Sequence, residues 1–440
     1  MNSLIVSRFG GDAAANSEEV KRAAEIVKSN PSRRYIIISA PGSTHTSSGI
    51  TDMLYMCHAS AKNHEDYSVT LTKILERYEE IVKGLGIDFD IYSEIGSLRE
   101  SLEAGRDLDF IGSRGEYIMA KIFAKFLNWD FIDASELIFF NKDGTPDKDK
   151  SFTLAGEKLK NYEHAVIPSF YGSLADGRIK TFVRGDCDTA GAMIACAVKA
   201  DLFEKWSDTT KIYSADPAVI PNPEIIRNVT YNEAIELNYI GINIVSDNVS
   251  IMLNESGIPM KIASIHDPED NEMLISPKLP ENISRRLVLC IAGQKNFNVI
   301  RIQKYGINRV YGLEEKMFGL LSKHNIACQH YIAGIHRMAL ILKNLRFDLR
   351  RNEILGDIKT IIQPDSVTVE RGLSLIAVIG EGMGTVKGVF GRIFEALASA
   401  GIKVQMVEQG SDDLNIIIGV HDNDYENAIK AMYQAVILGQ

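Results

Sequence analysis

The sequence is short of the residues that staple a fold, span a bilayer or grip nucleic acid. Among its 440 residues are 5 cysteines and 2 tryptophans. Cys57, Cys187, Cys196, Cys290 and Cys328 are odd in number, mostly far apart and never spaced C-x-x-C. That pattern argues against a disulfide framework or a zinc ribbon, and it fits reduced thiols in a cytoplasm. No apolar run approaches the roughly 18 to 20 residues of a membrane-spanning helix. The longest, residues 36–40 and 416–420, have the length of buried strands, so no membrane partner is expected. A basic excess is missing too. Lys and Arg total 48 against 58 Asp and Glu, a net charge of −10, so nucleic acid is not an expected partner. The N-terminus enters a strand at Leu4–Val6 without the pattern of a signal peptide.

What is present is ample apolar material, 45% of the chain, with 24% charged residues. These proportions describe globular cores, and the length suggests two to four domains. From residue 1 to about 280, short β-branched runs alternate with segments of helical period. The runs at 4–6, 35–39, 165–168, 181–183 and 212–213 read as strands; 17–28, 67–85 and 116–127 read as helices. Strands separated by helices predict a three-layer α/β domain with a parallel-rich sheet. Ser17 is the expected N-cap of the first helix. Asp, Pro and Asn residues at 267–281 suggest a linker. Beyond it, strand, helix, strand, strand occurs twice at a spacing of roughly 85 residues. Two small α+β modules are expected, at 281–365 and 366–440, each small enough to favour mutual packing or dimerisation.

Five segments carry possible chemistry. Arg8-Phe9-Gly10-Gly11-Asp12 follows the first strand, where paired glycines let backbone N–H groups approach an anion. Ser39-Ala40-Pro41-Gly42 ends the second strand, with Thr51-Asp52 opening the next helix; ligands of open α/β sheets sit at such strand ends. Gly112-Ser113-Arg114-Gly115-Glu116 reads as a helix start whose Glu116 suits an ammonium. Val183-Arg184-Gly185-Asp186-Cys187-Asp188 precedes an Ala-rich helix, and the fork of Arg184 suits a carboxylate. Trp206-Ser207-Asp208 leads to Tyr213 and Asp216-Pro217, a loop able to follow a nucleotide. Each segment alone also reads as an ordinary capped turn. Cys187 has no His partner nearby and reads as a small buried hydrophobe rather than a nucleophile. No resident metal site stands out.

Taken in order, these segments resemble the aspartate kinases, members of the amino acid kinase family whose tail carries two regulatory ACT domains. Ala292–Phe297 and Val407–Ser411 are similar to that tail. The resemblance implies transfer of the ATP γ-phosphate to the β-carboxylate of L-aspartate with Mg²⁺, the first step toward lysine, threonine and methionine. It implies catalytic roles for Arg8, Gly10, Gly11 and Asp188. It assigns Ser39, Thr51, Glu116, Arg184 and Gly185 to the amino acid, with Glu116 on the ammonium and Arg184 on the α-carboxylate. It assigns Ser207, Asp208, Tyr213 and Asp216 to ATP, and it implies a cytoplasmic homodimer or higher homo-oligomer paired through the ACT-like modules.

The family's Lys is Arg8 here, and its small residues after the paired glycines become Asp12 and, in the Arg184 loop, Asp186-Cys187. A family member with a different acceptor, or a catalytically impaired regulatory paralogue, is the alternative that these departures leave open. In the lysine-responsive members an acidic side chain of the first ACT domain meets the effector; the matching stretch here is Ala333-Gly334-Ile335-His336-Arg337, without the acid.

Overall fold

The chain is seen in a computed structural model that describes residues 3–43, 48–207, 211–267, 272–279, 286–410 and 413–439. It divides into two compact units. One comprises 1–212, 226–238 and 243–283; the other comprises 213–225, 239–242 and 284–440.

The first unit is built on β1 (Ile5–Phe9) and β2 (Arg33–Ile38), which pair in parallel at the centre of an eight-stranded sheet. Leu202–Ser207 pairs in parallel with the other side of β1, and Met260–Ser264 lies beyond it. Ala165–Pro168 and Asp130–Phe131 extend the sheet past β2. Met273–Ser276, inside the stretch expected to be a linker, is instead a strand, antiparallel to Met260–Ser264. Its alternate buried residues Met273 and Ile275 explain why: the segment has a core face to offer.

Period-2 alternation splits the central strands between two helical layers. Phe9 and Trp206 stack at 6.0 Å between ring centroids and join a core with α1 (Ser17–Ser29), α2 (Ile50–Lys62), α3 (Ser68–Leu85), α4 (Ile91–Glu103) and α5 (Leu108–Leu127). Arg8 and Phe203 point the other way. A side chain at Gly191 would strike the Phe203 ring at 2.8 Å, so the helix carrying that glycine packs directly on this face. With α6 (Lys148–Leu159), this α7 (Asp188–Ala197) completes the expected three layers. A buried network locks the central strands: Arg33 grips both oxygens of Glu204 at 2.7 and 3.1 Å, while Ser7 and the Trp206 indole donate to the same carboxylate.

Two helix starts differ from expectation. Asn16, not Ser17, caps α1, its side chain accepting from the backbone of Glu18 and Glu19. The helix expected to open at 112–116 begins at Leu108, capped by Asp107, whose side chain accepts from Phe110 N at 2.8 Å. Glu116 therefore lies in the helix interior rather than in its first turn.

The second unit holds a six-stranded antiparallel sheet ordered Cys328–Ala333, Arg337–Lys343, Cys290–Gln303, Ser366–Ile379, Asn415–His421, Met406–Gln409. The two central strands are 14 residues each, and both serve two cores. Val288 and Ile291 join Ile376, Val378 and the helices Val389–Ser399 and Tyr425–Tyr433 in one core. Ile300 and Ile302 join the helices Leu313–Lys323 and Asn344–Ile362 in the other, with Val367 and Val369 against it. The pairing shifts register after Gln294, and Asn296 and Gly372 adopt positive φ of 70° and 82°. Residues 297–371 thus form one module set inside the other. The two cores share one strand pair, so Ser366–Ile379 contributes residues to both.

Candidate functional site

The site of the first unit is assembled where β1 and β2 end. In the 5-to-9 against 202-to-206 register, Arg8 stands opposite Lys205. Asp188, in the first turn of α7, sits between them: its Oδ1 lies 3.2 Å from Arg8 Nε and its Oδ2 accepts from Lys205 Nζ at 2.7 Å. All three side chains are largely buried. Burial, the largest single effect, works against the charge of Arg8, but Asp188, Cys187 and Asp12 together hold the guanidinium above its ordinary pKa. Burial likewise opposes the Asp188 carboxylate, yet Arg8 and Lys205 keep its pKa below the ordinary value. The cluster carries two cations for one anion.

Arg8 Nη2 also donates to Ser39 Oγ at 3.2 Å, which lies 3.1 Å from Ser169 Oγ. Next to them the two glycine turns interlock. Gly42 N donates to Gly11 O at 2.9 Å, and a side chain at Gly11 would sit 3.0 Å from both Ala40 O and Gly42 Cα. One at Gly10 would come within 3.3 Å of the Arg8 guanidinium. Only glycine leaves this backbone open beside a buried cation, as an anion cradle requires.

Glu116 reaches the same place from α5. Gly115 lets the helix close on the β2 loop, since a side chain there would meet Ala40 Cβ at 3.0 Å. Glu116 Oε1 accepts weakly from Thr51 Oγ1 at 3.5 Å, while Oε2 is buried with no hydrogen-bond partner. Burial pushes this carboxyl up to about 8, against the smaller pull of Ala40, Thr51 and Arg114. A buried acid held neutral, with one oxygen unanswered, can give up its proton to pair with a cationic donor placed beside it. From the other side Arg184 pairs with Asp52, the neighbour of Thr51. Gly185, at φ 92°, then turns the chain back toward Asp188. Contacts therefore run from Asp188 through Arg8 to Ser39, and from Glu116 through Thr51 and Asp52 to Arg184.

Ser207 ends its strand, its carbonyl accepting from Ile265 N at 3.2 Å. Asp208 lies outside the described residues. Tyr213 and Asp216 belong to the second compact unit, where Asp216 heads a turn, its side chain accepting from Ala218 N at 2.9 Å. The Cys187 thiol is pushed up to about 11, chiefly by burial, and so stays protonated, in keeping with a non-nucleophilic role.

Sequence reasoning missed two features. Lys205 stands one residue before the motif read from Trp206. The signal was available, because Glu204-Lys205 places two charges inside an otherwise apolar strand. Phe170 is the second: buried, with φ of 77°, it follows Ser169 at the end of Ala165–Pro168. A bulky residue in that conformation is strained, and such strain gathers at ligand sites.

A profile described as the amino acid kinase family matches residues 3–264. The chain belongs to the amino acid kinase family. Within that family it falls among the aspartate kinases, phosphotransferases whose fold it shares from end to end. Aspartokinase 3 of Bacillus subtilis is 28% identical over 452 residues, spanning 99% of each chain. The aspartate kinase of Clostridium acetobutylicum, described as an allosteric enzyme, matches with a TM-score of 0.92 at 37% identity, over 99% of this chain and 100% of that one. Escherichia coli aspartokinase III, solved with aspartate and ADP, shares the fold at a TM-score of 0.71 and 23% identity, over 99% and 100% of the two chains. An ACT domain profile matches residues 376–436 of the kinase, within the outer module of the second unit. No helix among the described residues is long and apolar enough to cross a membrane.

Proposed function

We propose that this aspartate kinase transfers the γ-phosphoryl group of ATP to the β-carboxylate of L-aspartate, in the cytoplasm, as the committing step toward lysine, threonine and methionine. The observation that carries the reading is Glu116. Its buried, unanswered oxygen lies beside a loop that also presents cations, so one ligand bearing both an ammonium and carboxylates meets complementary groups on every side.

The ammonium of aspartate displaces the proton of Glu116, and its α-carboxylate takes the Arg184 fork in exchange for Asp52. The Gly10-Gly11 turn receives the transferring phosphoryl group, with Arg8 and Lys205 neutralising the charge spread over its oxygens. Asp188 takes no proton; it holds the two cations together and aims them. Catalysis is then positioning and charge neutralisation, with no covalent intermediate. Mg²⁺ suits a site of this kind. Among the described residues no three His, Cys, Asp or Glu side chains gather into a cage, so the ion would arrive on the nucleotide's phosphates, where it supplies further neutralising charge. Ser207, Asp208, Tyr213 and Asp216 are proposed to follow the nucleotide, and the ACT-like modules to pair two chains into a dimer.

The deciding experiment measures ADP release with Mg-ATP and aspartate, trapping the acyl phosphate with hydroxylamine. Aspartate-dependent release is expected. Release with another carboxylate but not with aspartate would replace the acceptor, and ATP binding without release on any acceptor would favour the regulatory paralogue. Light scattering that shows a strict monomer would remove the dimer.

A further inference from the structure

The kinase unit contains a second cavity that the proposed reaction does not use. It has a volume of about 500 Å³, within the range of small-molecule sites, and its walls are largely apolar. Phe140 and Phe182, with ring centroids 5.0 Å apart, form one side; Met193 of α7 and Met252 of the helix Asp247–Glu255 form another. Neither Arg8, Ser39, Glu116, Arg184 nor Asp188 lines it. Val183 stands at its edge, 81% exposed, an unusual solvation for a large aliphatic side chain.

The charged groups of this cavity are few and of both signs: Lys148, Lys180 and Asp186. Asp186 accepts from Thr189 Oγ1 at 2.6 Å and Ser246 Oγ at 2.9 Å, both on Oδ1. Its Oδ2 makes no hydrogen bond among the described residues. Lys180 is already committed to Asp109 at 2.9 Å. Lys148, exposed in the first turn of α6, pairs with no carboxylate among the described residues. One free carboxylate oxygen and one free ammonium thus flank a pocket lined with rings and thioethers.

We infer that this cavity binds a small zwitterion with an apolar body, an α-amino acid with an aliphatic or aromatic side chain. Its ammonium meets Asp186, its carboxylate meets Lys148, and its side chain fills the space among Phe140, Phe182 and the two methionines. Asp186 lies two residues from Arg184 and from Asp188, so a ligand that recruits it also fixes the loop between the two. Occupancy therefore acts on the neighbouring amino acid site through residues 183–188 and not through the ACT-like modules.

The test is calorimetric titration of the full chain with L-leucine, L-methionine and L-phenylalanine, in the absence of ATP and aspartate. It stands apart from the phosphoryl-transfer reading because no turnover is measured. One saturable site per chain is expected for at least one probe, with N-acetylation of that probe weakening it by about tenfold or more. Two exposed rim substitutions locate the site. Asn248→Trp blocks the mouth and Lys148→Glu reverses the charge, and each is expected to weaken the probe by about tenfold or more while melting temperature stays unchanged. Absence of saturable binding for all three probes, or affinity unaltered in both variants, overturns the assignment.

Discussion

Arg8 and Lys205 face each other across neighbouring parallel strands and share one carboxylate, that of Asp188. Like charges directly opposite in a sheet are destabilising, and partial burial strengthens the repulsion. Asp188 therefore ties the two cations together in the fold, and in the proposed reaction it holds their charge where the phosphoryl group would pass. Asp188→Asn should lower the melting temperature and reduce kcat together. Adding Lys205→Met should restore much of the stability but none of the rate. Thermal unfolding of the single and double variants, alongside kcat, checks this. A double variant no more stable than Asp188→Asn would show that the two cations do not repel through this site.

Arg8 uses two faces of its guanidinium, one on Asp188 and one on Ser39. Arg8→Lys brings back the residue usual in the family but replaces that fork by a point charge. Because the surroundings are built for the fork, kcat should fall, by about tenfold, with ATP affinity little changed. A rise in kcat would mean that Arg8 limits the present enzyme.

Asp52 occupies Arg184 in the free chain, so it competes with the proposed α-carboxylate. Asp52→Asn should lower the KM for aspartate. Arg184→Lys should raise it by about tenfold or more, since a bidentate grip becomes a single contact. Steady-state kinetics on both variants decide the matter, and equal KM values in both would take Arg184 out of the site.

The buried Glu116 carboxyl gives a pH signature. Its folded pKa, about 8, lies above its unfolded value, so between about 4.5 and 8 the native state holds a proton that the unfolded chain has released. Native stability contributed by this group is complete at low pH and declines as pH rises through that window. Glu116→Gln, which cannot ionise, should accordingly gain melting temperature relative to the parent at pH 8 but not at pH 5. Aspartate binding near neutral pH should release close to one proton, read by calorimetry in buffers of differing ionisation enthalpy, and that release should vanish in Glu116→Gln.

In the inner module His336 accepts from Gly306 N at 2.9 Å, and its ring stacks on Tyr305 at 4.5 Å. The position that is acidic in lysine-responsive relatives is thus filled by a committed ring with Arg337 beside it. Lysine at millimolar concentration should neither bind tightly nor inhibit. Micromolar lysine affinity, lost in His336→Ala, would contradict this.

The sequence by itself determined the layers and the strand ends. Isoleucine runs without polar alternation can only be strands covered on both faces, and helical periods between them force parallel crossovers. Glycine pairs at those ends marked the tight turns proposed as an anion cradle, because no other residue permits such close backbone approach. The nested modules were not legible. A repeat at fixed spacing shows that two units exist, whereas the positive φ values at Asn296 and Gly372 decide which core each half-strand serves. Nor was the Arg8–Asp188–Lys205 cluster, whose outer members are 197 residues apart in the chain and opposite in the sheet. Glu116 shows the division most plainly. Its place in the chain suggested an ammonium ligand at a helix start, but only the closure of α5 over Ala40 buries it, and burial is what raises its pKa to about 8. Local pattern carries periodicity and turns; the free energy of a charge depends on what surrounds it, and tertiary packing decides the surroundings.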